Sequence, residues 1–289
     1  MKNNQPMAEV FGFPIDNTSP TAVRYRTNQL CPFNNKVPNC TKDKAESPLG
    51  VCSVFNGSDV VVTCPVRFRQ DWLIIDDAAA FFFASDVKWT TLTEVRLNDA
   101  NGKSAGNIDV LLVAYDENGK VIDFGSLEIQ AVYISGNVRN PFEEYMKDQI
   151  RNANMSWNGP NYPRPDFLSS SRKRLAPQLM FKGGILHQWN KKMAVALDVH
   201  FMNTLPKLEE VSPDEASVVW LVYECRYDQT LNTFRLEMIR AVYTTFHESL
   251  EQITKPVVGD VGDFLGEIQS KLDKARTPPI NQTIVTGDL

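Results

Sequence analysis

Residues 106–134 read GNIDVLLVAYDENGKVIDFGSLEIQAVYI, two apolar runs joined by a turn. β-Branched and aromatic residues dominate both runs, and the Asn118-Gly119 pair between them is a strong short-range hairpin signal. With Asn118 and Gly119 as a two-residue loop, Glu117 pairs with Lys120 and Asp109 comes to face Glu128. Facing Cβ atoms of an antiparallel pair lie roughly 5 Å apart. Gln130 shares the face of Glu128, because side chains two apart on a strand point the same way. Opposed carboxylates repel. The pair therefore lies either on a solvated open face or against something positive, for which a divalent cation with oxygen ligands is the natural candidate. The LEIQAVYI setting of Glu128 (127–134) is too apolar for an edge that meets only water. A bulge at Gly125 or a longer loop would shift this register by one residue.

The chain has 289 residues, 43% of them hydrophobic and 22% charged, which is ordinary for a soluble protein with one large or two small cores. Its first residues, MKNNQPMAEVFGFP, lack the apolar stretch of a secretory leader. No run approaches the ~18 apolar residues needed to span a bilayer. A cytoplasmic protein with no membrane partner is expected. The net charge of −5 argues mildly against nucleic acid, but the charge is unevenly spread. Between Gly159 and Leu197 lie seven basic residues, Arg164, Arg172, Lys173, Arg174, Lys182, Lys191 and Lys192, against the single acid Asp166. Such a stripe is either a solvated face or a phosphate-backbone contact beside a carboxylate-rich site.

Cys31, Cys40, Cys52 and Cys64 are spaced C-x8-C-x11-C-x11-C, and Cys225 stands alone on an apolar run. An odd total without a leader argues against a disulfide framework. A closed four-thiolate site for zinc or iron fits better, the alternative being unrelated buried thiols. CPFNNKVPNC (31–40) is rich in Pro and Asn and cannot build a core alone, so a metal would tie it down. Cys225 reads as a core residue.

Residues 1–68 read as a loop-rich N-terminal segment ending in a short strand, and 69–289 as a second, larger domain. A helix is expected over 70–84 with Trp72, Ile75, Ala79 and Phe82 or Phe83 on one side, then a strand over Trp89–Leu97. Asn140 and Pro141 signal a helix reaching to about Asn152. The basic segment follows, broken by Gly183-Gly184, then strands over Met193–Met202, Ser217–Cys225 and Thr233–Thr244. The acidic tail is helical over about Val257–Ala275 and frays beyond. Asp198 and Glu224 sit on apolar strands, where a hydrogen-bonded structural role is expected. His187, His200 and His247 are scattered and suggest no nucleophilic triad. There is no phosphate-binding glycine loop of the Walker or G-x-G-x-x-G kind.

Acids on successive strands between helices resemble the PD-(D/E)xK nuclease core, with Gln130 where lysine is usual. The cysteine-rich N-terminus, Glu94 fifteen residues before Asp109, the D…ExQ pair and SSSRKRLAPQLMFKGGIL (169–186) occur in one order. Together, from about Val23 to Tyr243, they resemble the NotI-type restriction endonucleases. The resemblance implies an α/β (α+β) fold with a mixed central sheet flanked by helices and a small four-cysteine metal-binding segment. It also implies a bacterial, homodimeric type II endonuclease that hydrolyses double-stranded DNA at a palindromic, GC-rich site with Mg²⁺. On this sequence Asp109 and Glu128 would hold the catalytic metal, and Glu94 would be an auxiliary ligand or position a water. Gln130, which is neutral, could only orient water and phosphate. Cys31, Cys40, Cys52 and Cys64 would hold structural zinc or iron. Arg172, Lys173, Arg174 and Lys182 would contact DNA over about 159–192, with Lys182 beside a Gly-Gly pair that lets backbone approach closely. Two other classes remain: a structure-specific or repair nuclease with the same core, and a non-catalytic, metal-stapled DNA-binding protein.

Overall fold

The computed structural model describes residues 4–34, 37–44 and 46–275. Strands β1 (Met7–Val10), β2 (Phe13–Pro14), β3 (Val51–Asn56) and β4 (Asp59–Val62) form a small N-terminal sheet of order β2-β1-β3-β4. Helix α1 (Pro20–Thr27) lies between its second and third strands and is capped by the Ser19 side chain. Helix α2 (Leu73–Phe82) then leads into β5 (Trp89–Asn98), β6 (Ser104–Tyr115) and β7 (Val121–Gln130), an antiparallel meander. Helix α3 (Arg139–Lys147) and a long helical run, α4 (167–188), precede β8 (Met193–Asp198), which returns parallel to β7. Strand β9 (Val218–Asp228) pairs parallel with β8, and β10 (Thr233–Thr244) antiparallel with β9. The result is a mixed six-stranded sheet of order β10-β9-β8-β7-β6-β5. Helices α5 (Phe246–Thr254) and α6 (Val261–Ala275) end the described chain. Residues 1–254 form one compact unit, and 255–289 a second that contains α6.

Strand β7 sits inside the sheet, paired on both edges, and every residue from Gly125 to Gln130 is buried. Its buried half nonetheless alternates, with Leu127 and Ile129 in the α2-side core and the polar Ser126, Glu128 and Gln130 on the other face. One face of the sheet packs Val110, Leu112, Leu127 and Ile129 against Ile74, Ile75, Ala78 and Ala79 of α2. The other packs Val195, Leu197, Trp220 and Val222 with Leu175, Leu179 and Leu186 of α4. The N-terminal sheet joins the first of these cores through Ala8, Val60 and Val62.

The expected register survives by two compensating departures. Asp116 N–H donates to the Lys120 carbonyl, so the loop holds three residues, Glu117–Gly119, not two. Tyr115 accordingly pairs with Val121. The bulge that follows returns one residue at Ile122, and from Ala114 opposite Asp123 to Val110 opposite Leu127 the ladder is the predicted one. Gly125 is no bulge. It pairs with Leu112, and a Cβ there would stand 2.5 Å from the Phe82 ring.

Other expectations need correction. The N-terminal segment carries β1 and α1, elements too short for periodicity to reveal. Helix α2 begins at Leu73, after a 3₁₀ stretch over Pro65–Trp72. Helix α3 starts at Arg139 and stops at Lys147, and Asn137 rather than Asn140 accepts from its first N–H groups. Strand β8 ends at Asp198, whose side chain caps the short helix Val199–Met202. Gly183 and Gly184 interrupt nothing. They lie within α4, with Gly183 tight against Phe246. Helix α5 was not expected, and the stretch predicted to fray after Ala275 lies outside the described residues.

Candidate active site

Three acidic residues fall in one cross-strand row. In the β5–β6 ladder Thr93 pairs with Val110 and Val95 with Ile108, which brings Glu94 level with Asp109. The β6–β7 ladder ends at Val110 opposite Leu127, and the next pair along is Asp109 and Glu128. There the strands part. The Ile129 N–H donates to Asp109 Oδ2 at 2.8 Å, so a side-chain carboxylate takes the acceptor's place in the ladder. Glu94 holds a left-handed backbone, φ 57°, in mid-strand without shifting the register. Non-glycine residues pay about 1–3 kcal/mol for such a conformation, which is found most often at functional sites.

Glu128 is fully buried and Gln130 is 1% exposed, both on the α4 side of the sheet. Above them α4 contains two π-turns, Ser171–Leu175 and Leu179–Gly183, on either side of Pro177. Proline has no N–H to give the preceding turn, and widened turns accommodate it. Arg174, Gln178 and Lys182 follow at four-residue spacing, which keeps them on one side of the helix. Lys182 Nζ donates to Glu128 Oε2 and to the Asn107 carbonyl, each at 2.5 Å. Gln178 Oε1 accepts from Gln130 Nε2. Arg174 lies close enough to act electrostatically on both Asp109 and Glu128.

Burial pushes the Glu128 carboxyl up to about 8, with Asp109 adding to the rise and Lys182 and Arg174 opposing it. Asp109 is raised chiefly by burial and less by Glu94, against the pull of the Ile129 N–H, Lys182 and Arg174. Two buried oxygens, Glu128 Oε1 and Gln130 Oε1, have no hydrogen-bond partner. An unpaired oxygen in the interior is costly, and a hard cation is the ligand such atoms suit. Among the described residues no three His, Cys, Asp or Glu side chains are gathered tightly enough to hold a metal ion. At Glu128 the Lys182 ammonium occupies one oxygen instead.

The structure thus brings Glu94, Asp109, Glu128 and Gln130 together, and adds Gln178, which sequence reasoning missed. Lys182, expected on a DNA-facing surface, is 4% exposed and sits in the carboxylate site. The regular four-residue spacing of Arg174, Gln178 and Lys182 was the available signal, but Gly183-Gly184 read as a break in the segment. Arg172 and Lys173 are exposed on the first π-turn.

The four N-terminal cysteines line one small cavity of about 10 Å³ with Lys42 and Arg67. Burial pushes Cys31 up to about 11, and Cys64 and Cys40 add to the rise. Cys52 is raised by burial and by its neighbours Cys64, Glu9 and Cys31. The four sulfurs are therefore neighbours on one cavity, although they are not gathered as tightly as a closed metal site requires. Cys225 lies apart, in the main core. His187 meets His247 edge to face at 4.5 Å and stacks on Phe246 at 4.9 Å. His200 approaches Asp59 at 3.6 Å.

Among the described residues no helix is long and apolar enough to cross a membrane. No curated protein matches the chain. A family model, restriction endonuclease NotI, matches residues 9–236, a span that includes all four N-terminal cysteines, the acidic row and α4. Matched over most of its length, this chain belongs to the NotI restriction endonuclease family.

Proposed function

We propose that the protein is a type II restriction endonuclease of the PD-(D/E)xK type, hydrolysing phosphodiester bonds of a palindromic, GC-rich DNA site with Mg²⁺. The observation that carries this reading is the row Glu94–Asp109–Glu128, with Gln130 beside it, under a helix that supplies Arg174 and Lys182. The unpartnered oxygens of Glu128 and Gln130 support a divalent cation there, held by Asp109 and Glu128 with Glu94 as an auxiliary. When bound, such a cation supplies Lewis-acid activation of water and neutralises phosphate charge. Gln178 engages the Gln130 amide nitrogen, which turns Gln130 Oε1 toward the work of an acceptor or ligand. The Ile129 N–H fixes the Asp109 carboxylate, so the acid does not reorganise when substrate arrives.

Arg172 and Lys173, exposed next to the site, suit phosphate or guanine contacts. A palindrome is read by a two-fold symmetric protein, so a homodimer is the expected assembly. The four N-terminal thiols would hold a structural zinc or iron ion, which four sulfurs would leave without a catalytic role.

The test is a digest of unmethylated DNA of known sequence with Mg²⁺ and with EDTA. Discrete bands only with Mg²⁺ are expected, and mapped ends give the site and stagger. Asp109→Ala and Glu128→Ala should each abolish cutting while DNA affinity stays within about threefold. Affinity lost along with cutting would undercut the metal-ligand roles. A smear would move the reading to a repair or non-specific nuclease, and intact DNA on all templates to a non-catalytic binder.

A further inference from the structure

We propose that Lys182 is the lysine of the reaction site, brought from α4 to perform what Gln130 cannot. The inference rests on the nuclease reading above. A strand motif ending in glutamine leaves a carboxylate site without the positive charge that matches a phosphoryl displacement. Here that charge arrives from a different element. Lys182 Nζ stands 2.5 Å from Glu128 Oε2, on the acid two residues before Gln130, and its side chain is 5% exposed.

Its path is built for it. The second π-turn of α4 carries Lys182, and the stem crosses strand β6 at Gly106. A Cβ on Gly106 would lie 3.2 Å from Lys182 Cε, and the residue also holds φ +113°, a conformation glycine alone adopts readily. The Asn107 carbonyl takes a second hydrogen bond from Nζ at 2.5 Å. An ammonium has three N–H donors. Two are directed to Asn107 and Glu128, and the third remains for an oxygen of the scissile phosphate or for the attacking water. A phosphate-anchoring lysine belongs on an exposed surface like Arg172 and Lys173, whereas this one is sunk in the acidic row.

The substitutions are Lys182→Gln and Lys182→Arg in the full-length protein. Three quantities are read for each: single-turnover cleavage in Mg²⁺, affinity for uncleaved DNA in Ca²⁺ and in EDTA, and thermal midpoint. Lys182→Gln should cut at least ~100-fold more slowly, the usual cost of removing one transition-state donor. Its DNA affinity should stay within about threefold, and Lys182→Arg should recover at least ~10-fold over the Gln variant. Three results beside an active wild type would overturn the assignment. The first is a Gln variant that cuts at the wild-type rate. The second is affinity falling as far as the rate, which marks a phosphate anchor. The third is loss of the fold in the Gln variant with no recovery in Arg, which marks a purely structural partner of Glu128. A wild type that cuts no DNA instead overturns the nuclease reading itself.

Discussion

Two carboxylates, Glu128 and Asp198, are each fully buried at this sheet, and their hydrogen bonds assign them different work. Asp198 Oδ2 accepts from the Val62 N–H at 3.0 Å and Oδ1 from the His200 N–H at 2.8 Å. Both its oxygens are satisfied by backbone, and the side chain ties β8 to the N-terminal sheet. Glu128 has one oxygen on Lys182 and the other unpartnered, which the fold alone does not require. Structural carboxylates are paired, and an unpaired oxygen is left for a ligand. Burial pushes Asp198 up to about 6, against the pull of the Val62 N–H and His200. The folded chain therefore holds this proton more tightly than the unfolded one, whose carboxyl titrates near 3.8. The neutral form favours folding, an advantage complete below about pH 4 and lost as pH rises toward about 6. Asp198→Asn has no such charge to gain. Measured by chemical unfolding, it should gain on wild type by up to about 3 kcal/mol between about pH 4 and pH 7, then run parallel. A difference that does not change with pH would show that Asp198 keeps its solution pKa.

At the scale of elements, the hairpin was legible because Asn118-Gly119 and two β-rich runs carry their own local signal. Its loop length was not, since two- and three-residue loops share the same glycine, and a bulge at Ile122 restores the pairing. The Asp109–Glu128 pair followed from register arithmetic, whereas Glu94 entered only through the family resemblance, because the turn before β6 left its own register open. Helix α4 was hidden for a physical reason: Pro177 and two glycines lower helix propensity, and only packing of Leu175, Leu179 and Leu186 on the sheet outweighs them. The roles of Lys182 and Gln178 depend on that packing, and no spacing within β7 contains them. The opposite face shows how tightly helix and sheet are matched. Phe82 of α2 lies on Gly125, the one residue of β7 without a side chain. Gly125→Ala would put a methyl 2.5 Å from a rigid ring, so α2 must move or the ring must turn. Overpacking of this kind costs about 1–3 kcal/mol. The variant should melt several degrees below wild type, and Gly125→Ala combined with Phe82→Leu should regain part of the loss. A Gly125→Ala protein as stable as wild type would mean that α2 yields freely.

For the whole molecule, the question is what fastens a loop-rich N-terminal segment to a six-stranded sheet. Part of the answer is a buried ion pair. Arg67 Nε meets Glu9 Oε1 at 3.0 Å with both side chains fully covered, and Ser53 donates to the same carboxylate. The Arg67 guanidinium also reaches Gln70 and the Phe234 carbonyl of β10, and lies 4.3 Å from the centre of the Phe33 ring. A buried pair of this kind fixes geometry more than it adds stability, because desolvation offsets most of the attraction. Asp198 on the Val62 N–H and the packing of Ala8, Val60 and Val62 in the main core add to the fastening, and the thiol cavity lies next to Arg67. Leu30, Phe33, Leu49, Val51 and Val66 line that cavity together with the sulfurs, and a metal ion that bound only the folded arrangement would add its affinity to the stability these side chains supply. Purified protein should accordingly contain about one zinc or iron per chain, colourless with the former and red-brown with the latter. Cys52→Ser should lose that metal and melt at least ~5 °C lower, a shift of a few kcal/mol for a chain of this size. Cys225→Ser is the control, a thiol equally buried but outside the cavity, and it should keep its metal. Metal-free wild type with an unchanged melting temperature would leave the four cysteines as ordinary core residues, and the fastening to the Glu9–Arg67 pair, Asp198 and the shared core.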